Sequence, residues 1–224
     1  MRIVLATTNP HKLDEIREVF AAQAADGDGG RAIDLVGLDR FDPIEEPVED
    51  QDTFEGNALL KARYYARAAE MACLADDSGL EVDALGGAPG VISARYAGAA
   101  GARDVVDPAN NRKLLAELGD LPAGERTARF VCVMALCAPR GEEEETLAVV
   151  RGTVEGRILT PDETTDADCP ERGRGDNGFG YDPLFLVPDL GRTTAELSPE
   201  HKNRISHRGD ASRKMWAAIQ AACQ

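Results

Sequence analysis

Two nearly continuous apolar segments, TARFVCVMALCA over 127–138 and TLAVVRGTV over 146–154, flank the acidic tip GEEEE. They read as two long strands of a hairpin. Strands of this length need a covering layer, and amphipathic helical patterns occur on both sides of them in the chain.

The chain opens on a short apolar strand, RIVLA over 2–6. Asn9 is suited to cap a helix and Pro10 to be its first residue. Leu13, Ile16, Val19 and Phe20 then share one helical face up to about residue 24. A turn at 26–30 leads to a second strand, IDLVGL over 33–38. An acidic loop over 42–52 precedes a helix over 53–71, with Asp52 and Glu55 read as a capping box. Residues 72–75 read as a short strand that ends at Asp76-Asp77. The stretch 79–98 is rich in glycine and small residues and reads as loop with short strands. Further helices are expected over 108–118, from Ser198-Pro199, and from Asp210 to about Ala222, with a short strand at 184–187. The polar stretch 161–177 reads as an exposed insert.

This pattern predicts an α/β fold with a mixed, elongated central sheet flanked by helices, in two lobes with a substrate cleft between them. The chain has 224 residues, no internal repeat and no long linker, so one domain over 1–224 is expected.

A net charge of −15 disfavours binding to a nucleic-acid polymer. It leaves room for a small phosphorylated ligand met by local cations. No apolar run approaches the roughly 20 residues of a membrane span. The start, MRIVLATTNPHK, is too short in apolar residues for a signal peptide, so cytoplasmic residence is expected. The five cysteines at 73, 132, 137, 169 and 223 form no CxxC pair. They read as reduced thiols rather than a zinc site.

Four segments carry chemistry. The first, TTNPHK over 7–12, joins a strand to a helix. Backbone N–H groups, Thr7, Thr8, Asn9 and Lys12 would cradle phosphates there. An ordinary capped helix with a surface lysine explains the same residues, and for this segment alone is the stronger reading. The second, Asp76-Asp77-Ser78-Gly79, sets two carboxylates side by side. One of them could hold Mg²⁺ or take a proton from water, where the bland alternative is a capped turn.

The third, GRGDNGFGYDP over 173–183, contains a G-x-G-x-x-G at Gly173, Gly175 and Gly178. No strand precedes it, and Asp182-Pro183 breaks any following helix, so a dinucleotide fingerprint is rejected. Gly178 to Tyr181 suggests backbone and an aromatic ring meeting a flat base, although a glycine loop with core aromatics is equally good. The fourth, SPEHKNRISHRGD over 198–210, concentrates Lys202, His207 and Arg208 in an acidic chain. Cations at a helix C-terminus are the simple alternative. The RGD triplets at 174–176 and 208–210 read as chance.

Taken in order, TTNPHK, TFEGNALLKA, ADDSGLEVDALGGAPGVISARYAG, FGYDP and SHRG resemble the inosine triphosphate pyrophosphatase family, from residue 3 to about 215. The resemblance implies Mg²⁺-dependent hydrolysis of ITP, dITP and XTP to the monophosphate and pyrophosphate, clearing deaminated purines from the nucleotide pool. It also implies a homodimer. The family's phosphate-binding turn falls on Thr7 to Lys12, and its helix lysine on Lys61. Its proton-accepting, metal-binding aspartate falls on Asp77, with Ser78 touching substrate. FGYD falls on Phe179, Gly180, Tyr181 and Asp182, and base recognition on Lys202, His207 and Arg208. The loop EEPVEDQDTFEGNA departs from the family pattern. Glu49 is the chosen second metal ligand there, with Glu46 as its rival, and Gly56 stands where the family often has Glu.

Three other readings compete. A related pyrophosphatase acting on modified pyrimidine nucleotides would share the Mg²⁺ chemistry. A nucleotide-binding regulator would use Asp77, Lys12 and Lys61 for binding alone. A phosphatase with an aspartate nucleophile is poorly supported, because Asp76-Asp77-Ser78 lacks D-x-D spacing.

Overall fold

A computed structural model describes residues 1–26, 32–141 and 143–222. Twelve strands and α-helices follow in chain order among the described residues. They are β1 (Arg2–Leu5), α1 (Pro10–Asp26), β2 (Asp34–Gly37), α2 (Phe54–Ala69), β3 (Cys73–Val82) and α3 (Arg103–Leu118), then β4 (Thr127–Arg140), β5 (Glu143–Ile158), β6 (Phe185–Val187), β7 (Arg192–Thr193), α4 (Pro199–Ile205) and α5 (His207–Ala222). The seven strands form one sheet in the order β2-β1-β3-β4-β5-β6-β7. β1 runs parallel to β2 and β3, whereas β6 runs antiparallel to β5 and β7. The sheet is therefore mixed and helix-flanked, as the alternation of patterns predicts.

The chain divides into two compact units. The first comprises Met1–Ser78, Cys132–Gly152 and Ser206–Gln224. Its core joins Ile3, Leu5 and Leu74 of the parallel strands to Cys132, Met134 and Leu136 of β4. Ile16 and Phe20 of α1 and Ala211, Met215 and Ile219 of α5 complete it. The α1 face read from periodicity packs into this core, with Leu13 partly buried, and Phe20 meets Trp216 edge-on at 5.5 Å between ring centres. Gly152 permits a close approach: a Cβ there would overlap the His207 carbonyl and the Ala211 amide. The bare glycine lets β5 lie against the first turn of α5, which carries Arg208.

The second unit comprises Gly79–Val131 and Thr153–Ile205. Leu80, Val82, Leu114, Leu118, Phe130, Ile158, Leu184 and Phe185 form its core, with Tyr96 and Tyr181. Arg126, fully buried, donates to the carbonyls of Gly119 (2.5 Å), Leu121 (2.8 Å) and Leu159 (3.0 Å). Its cation replaces backbone partners where the turn after α3 meets the end of β5.

Several boundaries differ from those read in the sequence. The α2 cap is Thr53, whose hydroxyl accepts from the Gly56 amide at 3.0 Å, so the Asp52–Glu55 box is displaced by one residue. β3 does not stop at Asp76-Asp77 but runs through the pair to Val82. α3 begins at Arg103, five residues before Pro108. Pro108 has no amide N–H to donate to the Asp104 carbonyl, and the helix continues through it with that one ladder bond missing. The acidic tip joins the sheet, because β5 begins at Glu143, and Arg67 pairs with Glu144 at 2.5 Å. α5 starts at His207 rather than Asp210.

The insert over 161–177 is partly exposed yet tied down. Arg157 grips Glu163 with two bonds of 2.5 and 2.6 Å, and Arg112 reaches Glu171 at 2.5 Å. Cys73, Cys132 and Cys137 are buried free thiols, and Cys169 is a half-buried one. The expected turn at 26–30 and Cys223 fall outside the described residues, apart from the end of α1 at Asp26.

Candidate active site

Successive side chains of a strand point to opposite faces of the sheet. β3 uses this to separate its two aspartates, both buried, with Asp76 2% and Asp77 6% exposed. Each carboxylate finds its own cations.

Asp76 faces α1 and α5. Asn9 caps α1, its side-chain oxygen accepting from the His11 amide at 3.1 Å while its own amide donates to the Thr7 hydroxyl at 3.2 Å. Lys12, in the first turn, reaches Asp76 Oδ2 at 2.9 Å. Arg208 approaches the same oxygen at 3.5 Å. Its guanidinium also donates to Glu15 at 2.5 Å and to the Ser78 hydroxyl at 2.8 Å. A cation in the first turn of α5 opposes the helix dipole, and these carboxylates compensate for it. Burial pushes the Asp76 carboxyl up, but Lys12, Arg208 and Lys61 outweigh it and hold it well below the usual carboxylate range.

Asp77 faces α2. Asn57 and Lys61 lie four residues apart and so share one helical face. The Asn57 amide nitrogen donates to Asp77 Oδ2 at 3.1 Å. The Lys61 ammonium stands 3.7 Å from Asp77 and 3.1 Å from Glu49. For Asp77 burial wins: its pKa rises above the ordinary value although Lys61, Lys12 and Asn57 pull it down. Burial works to lower the Lys61 pKa, and the carboxylates of Asp76, Asp77 and Glu49 reverse this and raise it. The lysine stays charged. Two adjacent carboxyls thus acquire different jobs: Asp76 is fixed as an anion, and Asp77 is the readier proton acceptor.

Of the two acidic candidates in the 42–52 loop, Glu49 reaches Lys61, and Glu46 is exposed. Glu49 and Asp77 converge on one cationic centre, the Lys61 ammonium. Among the described residues no group of three or more His, Cys, Asp and Glu side chains is disposed to hold a metal. This donor set fits Mg²⁺, which takes one or two carboxylates and completes its shell with water and substrate phosphates.

In the second unit the FGYD segment is braced from several sides. Asp182 accepts from Lys202 (2.7 Å), the Thr194 hydroxyl (2.7 Å) and the Phe179 amide (2.8 Å). Asp107 accepts from the Gly180 amide at 2.8 Å, Asn111 donates to the Gly180 carbonyl at 3.2 Å, and the Tyr181 hydroxyl donates to the Ser93 carbonyl at 2.9 Å. The Phe179 ring is half-buried, with the Arg103 guanidinium 4.8 Å and the Lys202 ammonium 5.2 Å from its centre.

The structure therefore gathers Lys12, Lys61, Asp77, Ser78, Glu49 and Arg208 around β3 in one unit. It gathers Phe179, Gly180, Tyr181, Asp182 and Lys202 in the other. Thr7 is half-buried, Thr8 is exposed, and His207 is buried at the start of α5. Arg208, expected at a base, is buried against Asp76, Glu15 and Ser78. Sequence reasoning missed Asn57, Glu15 and Asp107. Spacing held a signal for two of them: Asn57 lies one helical turn before Lys61, and Glu15 lies three residues after Lys12.

The arrangement defines a class: an acid cluster with flanking cations, suited to hydrolysing a phosphate ester or anhydride. The Ham1 family model matches residues 3–218. The dITP/XTP pyrophosphatase of Exiguobacterium sibiricum is 46% identical over 219 residues, covering 98% of this chain and 97% of that protein. That of Bacillus subtilis is 43% identical, covering 97% and 96%. Among solved structures, the Coxiella burnetii HAM1 protein superposes with a TM-score of 0.78 at 36% identity, covering 99% of both chains. The Mycobacterium abscessus nucleoside-triphosphatase / dITP/XTP pyrophosphatase superposes at 0.69 with 41% identity, covering 100% of both. The chain belongs to the Ham1 family.

Proposed function

We propose that this protein hydrolyses deaminated purine nucleoside triphosphates, ITP, dITP and XTP, to the nucleoside monophosphate and pyrophosphate. Relatives that carry the dITP/XTP pyrophosphatase name align along nearly the whole chain. The observation that carries the chemistry is the unequal aspartate pair on β3.

Water attacks the α-phosphorus in line. An oxygen–phosphorus bond forms, the bond to the bridging oxygen breaks, and pyrophosphate leaves. Asp77 accepts the proton of the attacking water, a task for which its raised pKa suits it. Lys61 and Lys12 balance charge on the phosphates, and the N-terminal turn of α1, with Thr7, Thr8 and Asn9, supplies neutral donors. Asp76 keeps Lys12 and Arg208 in place. Asp77 and Glu49 would hold Mg²⁺, which when bound neutralises phosphate oxygens and favours ionisation of water.

The base is assigned to Phe179, which offers a ring face, and to Lys202 as a donor, since Arg208 is engaged with Asp76, Glu15 and Ser78. The 6-keto oxygen of hypoxanthine or xanthine accepts where adenine presents an amino group. Such a mismatch leaves buried donors unpaired and discriminates strongly. A homodimer completes the proposal on the strength of the family resemblance, and sedimentation of the purified chain tests it; cytoplasmic residence is proposed as the sequence reading expects. Among the described residues no helix is long and apolar enough to cross a membrane.

A nucleotide panel with product analysis tests the reading. ITP, dITP and XTP should yield monophosphate and pyrophosphate, with Mg²⁺ required and ATP slow. Preference for dUTP or dTTP, or release of orthophosphate, would overturn it.

A further inference from the structure

Asn57 is 1% exposed and sits in the first turn of α2, so the burial of its carboxamide needs a polar reason. It has one. Its side-chain oxygen accepts from the Gln51 backbone amide at 3.0 Å, and its nitrogen lies 3.4 Å from the Gln51 carbonyl. The same nitrogen donates to Asp77 Oδ2 at 3.1 Å. The orientation of the carboxamide is fixed by chemistry, since a backbone N–H can only donate. The oxygen must face Gln51, which leaves the NH₂ group for the carboxylate.

Gln51 closes the acidic loop two residues after Glu49. One side chain therefore touches both the strand that carries Asp77 and the loop that carries Glu49. The two carboxylates belong to segments 28 positions apart in sequence. Lys61 also spans them, but as a flexible ammonium on a four-carbon stem. Asn57 is short and its geometry is set at both ends.

We propose that Asn57 is a positioning residue: its carboxamide nitrogen aims Asp77 while its oxygen pins the Glu49 loop, and this fixes the spacing of the two carboxylates. The inference rests on the roles assigned to Asp77 and Glu49 above. Asn57 touches no reacting atom and acts through its neighbours. Removing it should leave nucleotide binding close to normal and slow the chemical step, since supporting contacts of this kind are worth roughly ten- to hundredfold in rate.

Two variants separate the two halves of the side chain. Asn57→Ala removes both contacts. Asn57→Asp keeps an oxygen for the Gln51 amide but turns a second carboxylate toward Asp77. Hydrogen exchange at the Gln51 amide reports the anchor without any turnover, and steady-state kinetics with ITP reports the aim. Asn57→Ala should lose Gln51 protection and roughly ten- to hundredfold in kcat, with KM within about threefold. Asn57→Asp should keep the protection and still lose kcat.

Unchanged Gln51 exchange in Asn57→Ala would overturn the anchor. Wild-type kcat in Asn57→Asp would overturn the aim, as would a kcat loss matched by the unfolded fraction in a parallel melt. Should Asn57→Ala fail to fold, Asn57→Asp alone decides the aim, and its retained protection decides the anchor. Failure of the wild-type protein itself to release pyrophosphate from ITP would instead remove the reading of the reaction, leaving the exchange result to stand by itself.

Discussion

Two buried aspartate centres in this molecule use similar partners to different ends. Asp182 in the second unit is saturated: one lysine, one hydroxyl and one backbone amide converge on it, and Lys202 and Asp182 are only 6% and 4% exposed. A pair closed in this way braces the FGYD turn. The Asp76–Asp77 centre is open by comparison. Lys12 is 16% exposed, Lys61 11% and Glu49 35%. Its two carboxyls are driven in opposite directions, Asp76 down by its cations and Asp77 up by burial. A buried ion pair that is complete provides geometry, whereas an incomplete one beside solvent provides chemistry.

That contrast can be broken by substitution. The largest effect belongs to Asp77→Asn, which keeps shape but cannot accept the proton. Turnover of ITP should fall by about 10²–10⁴-fold while nucleotide binding, followed by calorimetry, survives. Near-normal turnover would make Asp77 resemble Asp182. Next, Asp182→Ala should act on stability, because it strands the Lys202 ammonium in the interior. A loss of about 3–5 kcal/mol is expected in a denaturant titration. A loss under about 1 kcal/mol would mean that the turn is not locked by this pair.

The smallest effect sharpens the comparison with a carboxylate near the surface. Hydrogen bonds from Arg157, then from Thr160, draw the Glu163 pKa down to about 2. Folded Glu163 holds its proton less tightly than the unfolded chain does. Its contribution to stability is thus present above the ordinary carboxylate range and lost as the pH falls through about 2. Glu163→Gln should melt slightly below wild type at neutral pH and level with it in strong acid. An equal gap at both pH values would contradict the assignment.

Local signals were legible and non-local ones were not. Asn9-Pro10 marks the start of α1, and the face of α1 follows from its periodicity, because caps and apolar spacing are properties of neighbouring residues. The α2 cap slipped by one residue since Asp52 and Thr53 are both good caps and only the hydrogen bond decides. Aspartate is rare inside strands, and no local signal shows that β3 runs on through Asp76-Asp77. What keeps β3 intact there is the arrival of Lys12 and Arg208 on one face and Lys61 on the other, from three separate helices. Nothing in the spacing of those residues announces that meeting. For the candidate site, the order of the segments named the residues. It could not say that Arg208 turns toward Asp76 or that Asn57 ties Asp77 to the Glu49 loop.

The unequal aspartates on β3 are the centre of the account, and a carbon-detected NMR titration of the metal-free protein reads them directly. The carboxyl carbon of Asp76 should stay in its ionised position well below the usual carboxylate range, while that of Asp77 should titrate above its ordinary value. Both carbons titrating together near the ordinary aspartate value, or Asp76 titrating above Asp77, would contradict it.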